Sequence, residues 1–399
     1  MTETDTLRQA DMFAAMKRGA RILFAASALA LAACQSVVPR GAGPAPVEPT
    51  PTGPDVTQGL PTDTLRHRVA LLVPMSGPNA GVGQSIANAT TLALLDTKAD
   101  KVRITTYDTS MGAAAAANKA LAEGNRLILG PLLAEDARVV GPIAARANVP
   151  VISFSNDVSV AGNGVYIMGY NPNQSIERVV EFAKGKGLSK FAALVPKGVY
   201  GERSGTSLLR AVEGVGGTVV SMQTFDRTAA SMTAAVKKLQ ASSSYDALLI
   251  ADSGRVALQL APIVRKNGGA TARLLGTELW NTDHGLASAP ALRGAWFASV
   301  SDGLYGQLAG KYRARYGSAP FRLSALGYDA VLLTVRIARD WKPGTVFPAA
   351  RLRDSGGFSG IDGAFRFGRG GVAERALEVS EVGAGTYTVV AAAPKAFGE

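Results

Sequence analysis

Short apolar runs alternate with helical segments from Arg68 onward, and this alternation constrains the fold more than any other feature of the chain. Runs of this kind, separated by helices, are typical of right-handed βαβ units around a parallel sheet. Strands are predicted over 69–74, 102–107, 127–130 and 150–154, with helices over 83–96, 113–123 and 135–147 between them.

The same alternation begins again after residues 166–173. Predicted strands cover 191–196, 218–225, 247–252 and 273–276, and predicted helices cover 174–186, 201–213, 231–239 and 254–266. Two further helices (304–316 and 324–340) and three strands (363–367, 377–382 and 387–392) follow. Two consecutive sets of βα units predict an α/β protein with two doubly wound, Rossmann-like lobes.

The N-terminal segment has the parts of a secretory signal. Lys17, Arg18 and Arg21 precede an apolar run over 22–33, which is shorter than the roughly 20 residues that span a bilayer. The run ends in Leu-Ala-Ala followed by Cys34, which resembles the bacterial lipobox, whose cysteine becomes the acylated first residue of the mature protein. We therefore predict a signal peptide over 1–33 and lipidation at Cys34.

The residues after Cys34 favour an anchor over a structural role for this cysteine. A small core residue in a helix is the alternative, but Pro and Gly follow at once, and we predict a Pro/Gly-rich tether over 34–66. Gln35, not Asp, comes directly after the cysteine. By its resemblance to enteric-type sorting signals, this predicts the periplasmic face of the outer membrane.

The composition excludes several classes of function. Cys34 is the only cysteine of 399 residues, so the acylated chain has no thiol for a disulfide, a nucleophile or a thiolate metal site. The formal net charge is +11, but the basic residues are scattered and no Lys/Arg run alternates with aromatic residues. Nucleic acid is therefore not an expected partner.

No catalytic arrangement is recognisable in the sequence. The only histidines, His67 and His284, are far apart, and neither His-Glu-x-x-His nor Gly-x-Ser-x-Gly occurs. The run 81–86 has Ile where the dinucleotide fingerprint has its third glycine. Glu135 and Asp136 open a predicted helix, where acidic residues commonly stabilise the helix dipole. We predict a protein that is not an enzyme and that has no metal site and no cofactor.

Polar residues follow several of the predicted strands. Because the loops after parallel strands gather at one edge of a sheet, these residues are expected to line a cleft between two facing lobes. The predicted ligand contacts are Ser76, Ser155, Asn156, Tyr200 and Glu278. The alternative is that such residues are N-caps and turn residues without a ligand.

Several motifs resemble the type 1 periplasmic binding protein fold over about 68–393. They are Tyr-Asp-Thr-Ser (107–110), Ile-Leu-Gly-Pro-Leu (128–132), Asn-Val-Pro-Val-Ile-Ser-Phe-Ser (148–155), Tyr-Gly-Glu (200–202) and Ala-Leu-Gly-Tyr-Asp-Ala-Val-Leu-Leu (325–333). The resemblance implies one domain over 67–395 whose two lobes are joined by a hinge. It implies an N-lobe at about 67–170 plus 282–345 and a C-lobe at about 171–281 plus 346–395.

Within this fold the chain resembles the leucine-binding receptors that feed ABC importers. Positions that match Tyr200 and Glu278 contact the amino acid in that branch, so the resemblance implies that Glu278 meets an ammonium group. The chain departs from this branch at two places. The loop that binds the ligand carboxylate in the branch reads Leu133-Ala134-Glu135 here, and Asp157 replaces a threonine. A carboxylate at Asp157 would repel the carboxylate of an amino acid. This branch implies an importer permease and a small polar ligand as partners.

The chain also resembles the lipoproteins that activate penicillin-binding proteins, whose LpoA-like C-terminal domain has this fold. Residues 107–110 and 130–133 are more similar to this second branch, and the lipobox and the tether suit it. The resemblance implies a non-enzymatic outer-membrane lipoprotein that stimulates peptidoglycan synthesis through a bifunctional penicillin-binding protein. We expect this role, with the receptor of an ABC importer as the alternative.

Overall fold

The computed structural model describes residues 65–241 and 244–397. The predicted signal peptide, Cys34 and nearly all of the predicted tether lie outside these ranges. Within them, no helix has both the length and the apolar character needed to span a membrane.

The first lobe is built on a parallel sheet. Its elements are β1 (His67–Val73), α1 (Ala80–Thr97), β2 (Val102–Asp108), α2 (Ala113–Ala122), β3 (Leu127–Leu129), α3 (Ala134–Arg146), β4 (Val151–Ser153) and β5 (Val165–Ile167). The strand order is β2-β1-β3-β4-β5, and every neighbouring pair is parallel. Residues 69–73 of β1 are fully buried, as expected for a central strand with helices on both faces.

The second lobe repeats this arrangement. Its elements are α4 (Pro172–Gly185), β6 (Lys190–Pro196), α5 (Val199–Gly214), β7 (Thr218–Phe225), α6 (Ala229–Gln240), β8 (Ala247–Ile250), α7 (Gly254–Lys266), β9 (Arg273–Gly276) and β10 (Trp296–Ser299). The parallel strands are ordered β7-β6-β8-β9-β10, which is the order of the first sheet. The predicted class, an α/β protein with two doubly wound lobes, is therefore confirmed.

The remaining elements divide between the two lobes. They are α8 (Gly303–Tyr316), α9 (Ser324–Ala338), β11 (Phe358–Gly360), β12 (Gly363–Phe367), β13 (Ala373–Arg375), β14 (Glu378–Val382) and β15 (Tyr387–Ala391). Strands β11, β12 and β13 form a small antiparallel sheet, whereas β14 pairs antiparallel with β10 and extends the second sheet together with β15.

The chain crosses between the lobes at points that differ from the expected ones. We expected 282–345 in the first lobe and 346–395 in the second, but β10 pairs with β9 of the second sheet. Phe347, Leu352 and Phe358 are buried in the hydrophobic core of the first lobe. The crossings therefore follow β5, β10 and β13. An apolar run shows that a segment is buried, but it does not show which of two cores the segment joins.

Two glycines allow α1, which follows β1, and α5, which follows β6, to lie against the end of the strand before them. A Cβ atom at Gly83 would overlap the carbonyl oxygen of Pro74, and one at Gly201 would overlap that of Pro196. Both glycines lie in the first turns of their helices, α1 and α5. The close approach of backbone to backbone is thus the same in the two lobes, and only glycine permits it.

We predict that Gly201→Ala lowers the free energy of unfolding by about 2 kcal/mol or more, because the added methyl group must displace a strand carbonyl. Gly310→Ala is the matched control, since Gly310 is an exposed position within α8 with open space around its Cα. This control should stabilise the protein by roughly 0.5–1 kcal/mol through helix propensity. Urea unfolding of the three proteins measures both changes, and equal stability of Gly201→Ala and the parent would contradict the argument.

Candidate functional site

A cavity of about 390 Å³ lies between the lobes, beside the three crossings of the chain. Its apolar wall consists of Val82, Leu132, Leu133, Phe154, Leu279, Val300, Leu323 and Leu377. Its polar wall consists of Asn79, Asn156, Tyr170, Asn171, Gln174, Ser175, Glu278, Asn281, Thr282, Ser299, Arg322 and Arg375. Although polar residues outnumber apolar residues in this lining, most of the accessible surface of the cavity is apolar. A concave, mostly apolar space is the usual form of a small-molecule site.

Glu278 is held by two hydroxyl groups of its own lobe. It follows β9 at the start of a short 3-10 helix, Glu278–Thr282. Ser175 donates to Glu278 Oε2 at 2.5 Å, and Tyr200 donates to Oε1 at 3.1 Å. Burial raises the pKa of Glu278, and these two hydrogen bonds oppose that rise. Both carboxyl oxygens are thus engaged before any ligand arrives.

Tyr200 supports Glu278 and does not line the cavity itself. Its hydroxyl lies 3.0 Å from Thr277 Oγ1 as well as near Glu278. Burial, together with the charge of Glu278, raises the pKa of the Tyr200 phenol. The phenol therefore stays protonated and continues to donate to the carboxylate. The structure brings this predicted pair together.

The other predicted contact residues occupy different places. Asn156 lines the cavity, whereas Ser76 and Ser155 do not. Ser76 is exposed, and its N–H and C=O groups are both bonded to the Ser110 hydroxyl. Ser155 is buried, and its hydroxyl accepts from the backbone N–H of Asp157 at 3.1 Å. Ser155 thus has the turn-stabilising contact that the sequence left open as the alternative, whereas the backbone of Ser76 joins its loop to the loop after β2.

Asp157 ties the two lobes together. Its carboxylate lies 2.7 Å from Arg138 of α3 and 2.6 Å from Arg203 of α5, which belongs to the second lobe. Burial would raise the pKa of Asp157, but the hydrogen bonds from Ser159 and the charge of Arg203 outweigh burial and lower it. The carboxylate is therefore ionised and paired across the lobes.

A second charged cluster lies where the chain crosses between the lobes. Asp362 is fully buried, with Arg322 Nη1 at 2.7 Å and Arg375 Nη1 at 3.9 Å from its carboxylate. Tyr170 donates to Asp362 Oδ2 at 2.5 Å. Burial and the charge of Asp362 raise the pKa of Tyr170, so the phenol keeps its proton.

Sequence reasoning missed this cluster. Arg322, Asp362 and Arg375 lie in separate stretches of the chain that share no motif. Tertiary structure alone brings them into contact.

Among the described residues, no group of three or more His, Cys, Asp and Glu side chains is placed to hold a metal ion.

Asp329 of α9 adds an acid to the same region. It is fully buried and accepts from the backbone N–H of Ile361 at 2.5 Å. Burial, together with the nearby Asp362 carboxylate, raises the pKa of Asp329 to about 7, although the charge of Arg375 acts in the opposite direction. A side chain that carries its proton near neutral pH leaves the two arginines with less negative charge around them.

Two doubly wound lobes that enclose a lined cavity at their hinge define a bilobed binding protein. The chain belongs to the periplasmic binding protein family, whose family model matches residues 67–386. A curated relative, an uncharacterized protein of Rickettsia prowazekii, is 28% identical over 136 residues. That match covers 34% of this chain and only 36% of the relative's length.

Solved structures share the fold. A structure assigned to a branched-chain amino acid ABC transporter of Rhodospirillum rubrum is similar with a TM-score of 0.71 and 20% identity, covering 82% of this chain and 100% of that one. Full-length LpoA from Haemophilus influenzae is similar with a TM-score of 0.63 and 19% identity, covering 82% of this chain and 59% of that one. At these identities the likeness concerns the fold alone.

We predict that Asp329→Asn changes how stability depends on pH. An acid whose pKa rises on folding, here from 3.8 to about 7, holds its proton more tightly in the folded state. The stabilisation that the protonated Asp329 side chain contributes to the free energy of unfolding is therefore complete below about pH 4. It is lost as pH rises through about 7. The parent should lose stability relative to Asp329→Asn by up to about 1.4 kcal/mol per pH unit within that window, and then level off.

Urea unfolding of both proteins at pH 5, 6, 7 and 8 measures this difference. Asp100→Asn serves as the control, because Asp100 is exposed in the turn before β2. Its difference from the parent should stay constant over the same range. A constant difference for Asp329→Asn as well would contradict the assignment of a titrating acid to this site.

Proposed function

We propose that this chain is a non-enzymatic lipoprotein, anchored by Cys34 to the periplasmic face of the outer membrane, that activates a bifunctional penicillin-binding protein. The observation that carries the proposal is the pairing of Asp157 with Arg203 across the lobes. An amino-acid receptor of this fold is expected to offer a hydroxyl at this point. Here an ionised carboxylate occupies it, and its partner from the second lobe joins the two lobes directly.

The contacts of Ser76 and Ser155 support the same proposal. The Ser155 hydroxyl accepts from the backbone of its own turn, the Ser76 backbone is bonded to the Ser110 hydroxyl, and neither serine side chain lines the cavity. Ordinary α-amino acids are therefore poor candidates for cargo. A body whose lobes are tied to each other suits a protein that presents a fixed outer surface to a partner.

The tether fits a role at a distance from the membrane. About 30 residues separate Cys34 from β1. A flexible coil of that length spans roughly 30 Å on average, and a polyproline-like extension approaches ~90 Å. The folded body then reaches inward from the outer membrane toward a synthase. By binding the active conformation of that synthase more tightly than the inactive one, it raises the active fraction.

A second candidate function is the receptor of an ABC importer, and the cavity is the observation that favours it. Glu278 stands at its wall with Ser175 and Tyr200 as supports. In this function the lobes close around a small polar ligand and the loaded protein docks on an importer permease.

The two functions predict different partners, and affinity capture with the native lipidated chain distinguishes them. We expect a bifunctional penicillin-binding protein to co-purify, and its glycan polymerisation to rise several-fold when the purified chain is added. Co-purification of an importer permease, with no effect on the synthase, would decide for the receptor and against the activator.

Cys34→Ala separates the anchor from the activity. This variant should leave the outer-membrane fraction, because a tethered acyl chain is the predicted means of attachment. It should still stimulate the purified synthase in detergent-free solution, since the body is unchanged. Retention of the variant in the outer-membrane fraction would argue against lipidation at Cys34.

A further inference from the structure

The edge of the first sheet at which its parallel strands begin carries four exposed basic residues. Lys101 and Arg126 directly precede β2 and β3, and Lys98 is the C-cap residue of α1. Lys342 lies just beyond the end of α9. All four residues are exposed, and none of them forms an ion pair with another described residue.

These basic residues surround the start of β1. In the sheet, β1 lies between β2 and β3, so the residues that precede β2 and β3 flank the first residues of β1. The N–H of His67 donates to the Lys101 carbonyl at 2.8 Å. The Trp341 ring stacks on the His67 ring with centroids 3.9 Å apart, which brings Lys342 to the same edge.

Large apolar side chains are exposed at this edge as well. Leu65 is 82% exposed and comes two residues before β1. Leu95 is 52% exposed, and its carbonyl accepts from the N–H of Lys98 at 3.2 Å. Val346, also 52% exposed, lies four residues beyond Lys342. We call these four basic and three apolar residues the root face.

The acidic residues nearby do not balance the charge of the root face. Asp100 is exposed in the loop before β2. Glu123, the C-cap residue of α2, accepts from the Tyr107 hydroxyl at 2.6 Å, and Asp340 is paired with Arg351 at 2.8 Å. The helix dipole accounts for only one of the four basic residues, because only Lys98 caps a helix. The root face therefore has an excess of positive charge.

The chain enters the folded body at the root face. Leu65 is the first residue that the structure describes, and residues 34–64 connect it to Cys34. If Cys34 is acylated, as proposed above, the root face is the part of the body that is joined to the lipid. The connection keeps this face at a high effective concentration near the bilayer, where a weak attraction is sufficient to hold it.

We propose that the root face docks on the anionic lipid surface of the membrane that holds the acyl anchor. The basic side chains attract anionic headgroups, and the exposed leucine and valine side chains enter the boundary between headgroups and acyl chains. An anionic glycan offers charge but no apolar layer for these side chains, so lipid is the partner that fits both. The choice of a membrane rests on the proposed anchor.

Docking at the root face orients the rest of the body. The parallel strands of the first sheet begin at this face and end at loops that line the cavity, including Leu132 after β3 and Asn156 after β4. The docked body therefore directs its cavity and its second lobe away from the lipid. A periplasmic partner can then approach the second lobe while the first lobe stays on the membrane.

Vesicle flotation tests the proposal without the anchor, on the mature chain (34–399) carrying Cys34→Ala. At about 0.05 M NaCl, we expect this chain to bind vesicles of phosphatidylglycerol and phosphatidylethanolamine about tenfold or more tightly than vesicles of phosphatidylcholine and phosphatidylethanolamine. At about 0.5 M NaCl most of this preference should disappear, because salt screens exposed charges.

Neutral substitutions locate the contact. The root-face variant carries Lys98→Gln, Lys101→Gln, Arg126→Gln and Lys342→Gln, and should bind phosphatidylglycerol vesicles about tenfold or more weakly. The control variant has the same net charge but loses four exposed basic residues of the second lobe, by Arg210→Gln, Lys237→Gln, Arg255→Gln and Lys266→Gln. It should keep most of the binding. Exposed positions tolerate such changes, so melting curves should show both variants folded.

A single fluorophore reports the orientation. Because Cys34→Ala removes the only cysteine, Leu95→Cys or Val389→Cys then provides one site for an environment-sensitive dye. Val389 is the control, since it is 49% exposed on β15 of the second sheet. On phosphatidylglycerol vesicles, emission from position 95 should shift to shorter wavelength, and emission from position 389 should stay unchanged.

Three results would overturn the proposal. The first is equal binding to anionic and uncharged vesicles, and the second is equal loss of binding in the root-face and control variants. The third is binding to purified peptidoglycan without binding to phosphatidylglycerol vesicles, which would assign the root face to an anionic glycan. The vesicle test uses neither the acyl anchor nor a synthase, so it can fail or succeed independently of the capture and fractionation experiments above.

Discussion

The pairing of Asp362 with two arginines at the hinge is the interaction on which the cavity depends. Asp362, Arg322 and Tyr170 come from different stretches of the chain, yet they meet at the cavity wall, where the Asp362 carboxylate is fully buried. Buried charges persist only when they are paired. The cluster therefore fixes how the crossings lie relative to each other, and with them the wall of the cavity.

The two ends of the cavity differ in how far the protein satisfies its own polar groups. At one end, hydroxyl groups of α4 and α5 donate hydrogen bonds to both carboxyl oxygens of Glu278. At the other end, some buried nitrogens of Arg322 and Arg375 have no hydrogen-bond partner among the residues that the structure describes. This asymmetry is a consequence of folding two nearly equivalent lobes around one space, because only the first lobe receives the extra antiparallel sheet that carries Arg375.

Residues at strand ends were predictable as a group, but their individual roles were not. Asn156 and Glu278 line the cavity as expected from the rule that loops after parallel strands share one edge. Ser76 and Ser155 follow strands equally closely, yet neither lines the cavity: the Ser155 hydroxyl bonds its own turn, and the Ser76 backbone bonds Ser110 of the loop after β2. A serine in a turn can bond its own backbone or a ligand, and the sequence is the same in both cases.

The sequence by itself predicted the repeated βα units of the two lobes, because buried strands are rich in apolar residues and helices have a periodic apolar pattern. It did not predict the short strands β5, β10, β11 and β13. It did not show whether 296–299 and 347–358 pack in the first lobe or in the second. The hydrophobic effect favours burial of an apolar side chain in either core and does not select between them. Nor did the sequence bring Arg322, Asp362 and Arg375 together. Charged side chains pair according to distance in space, and only the tertiary structure sets that distance.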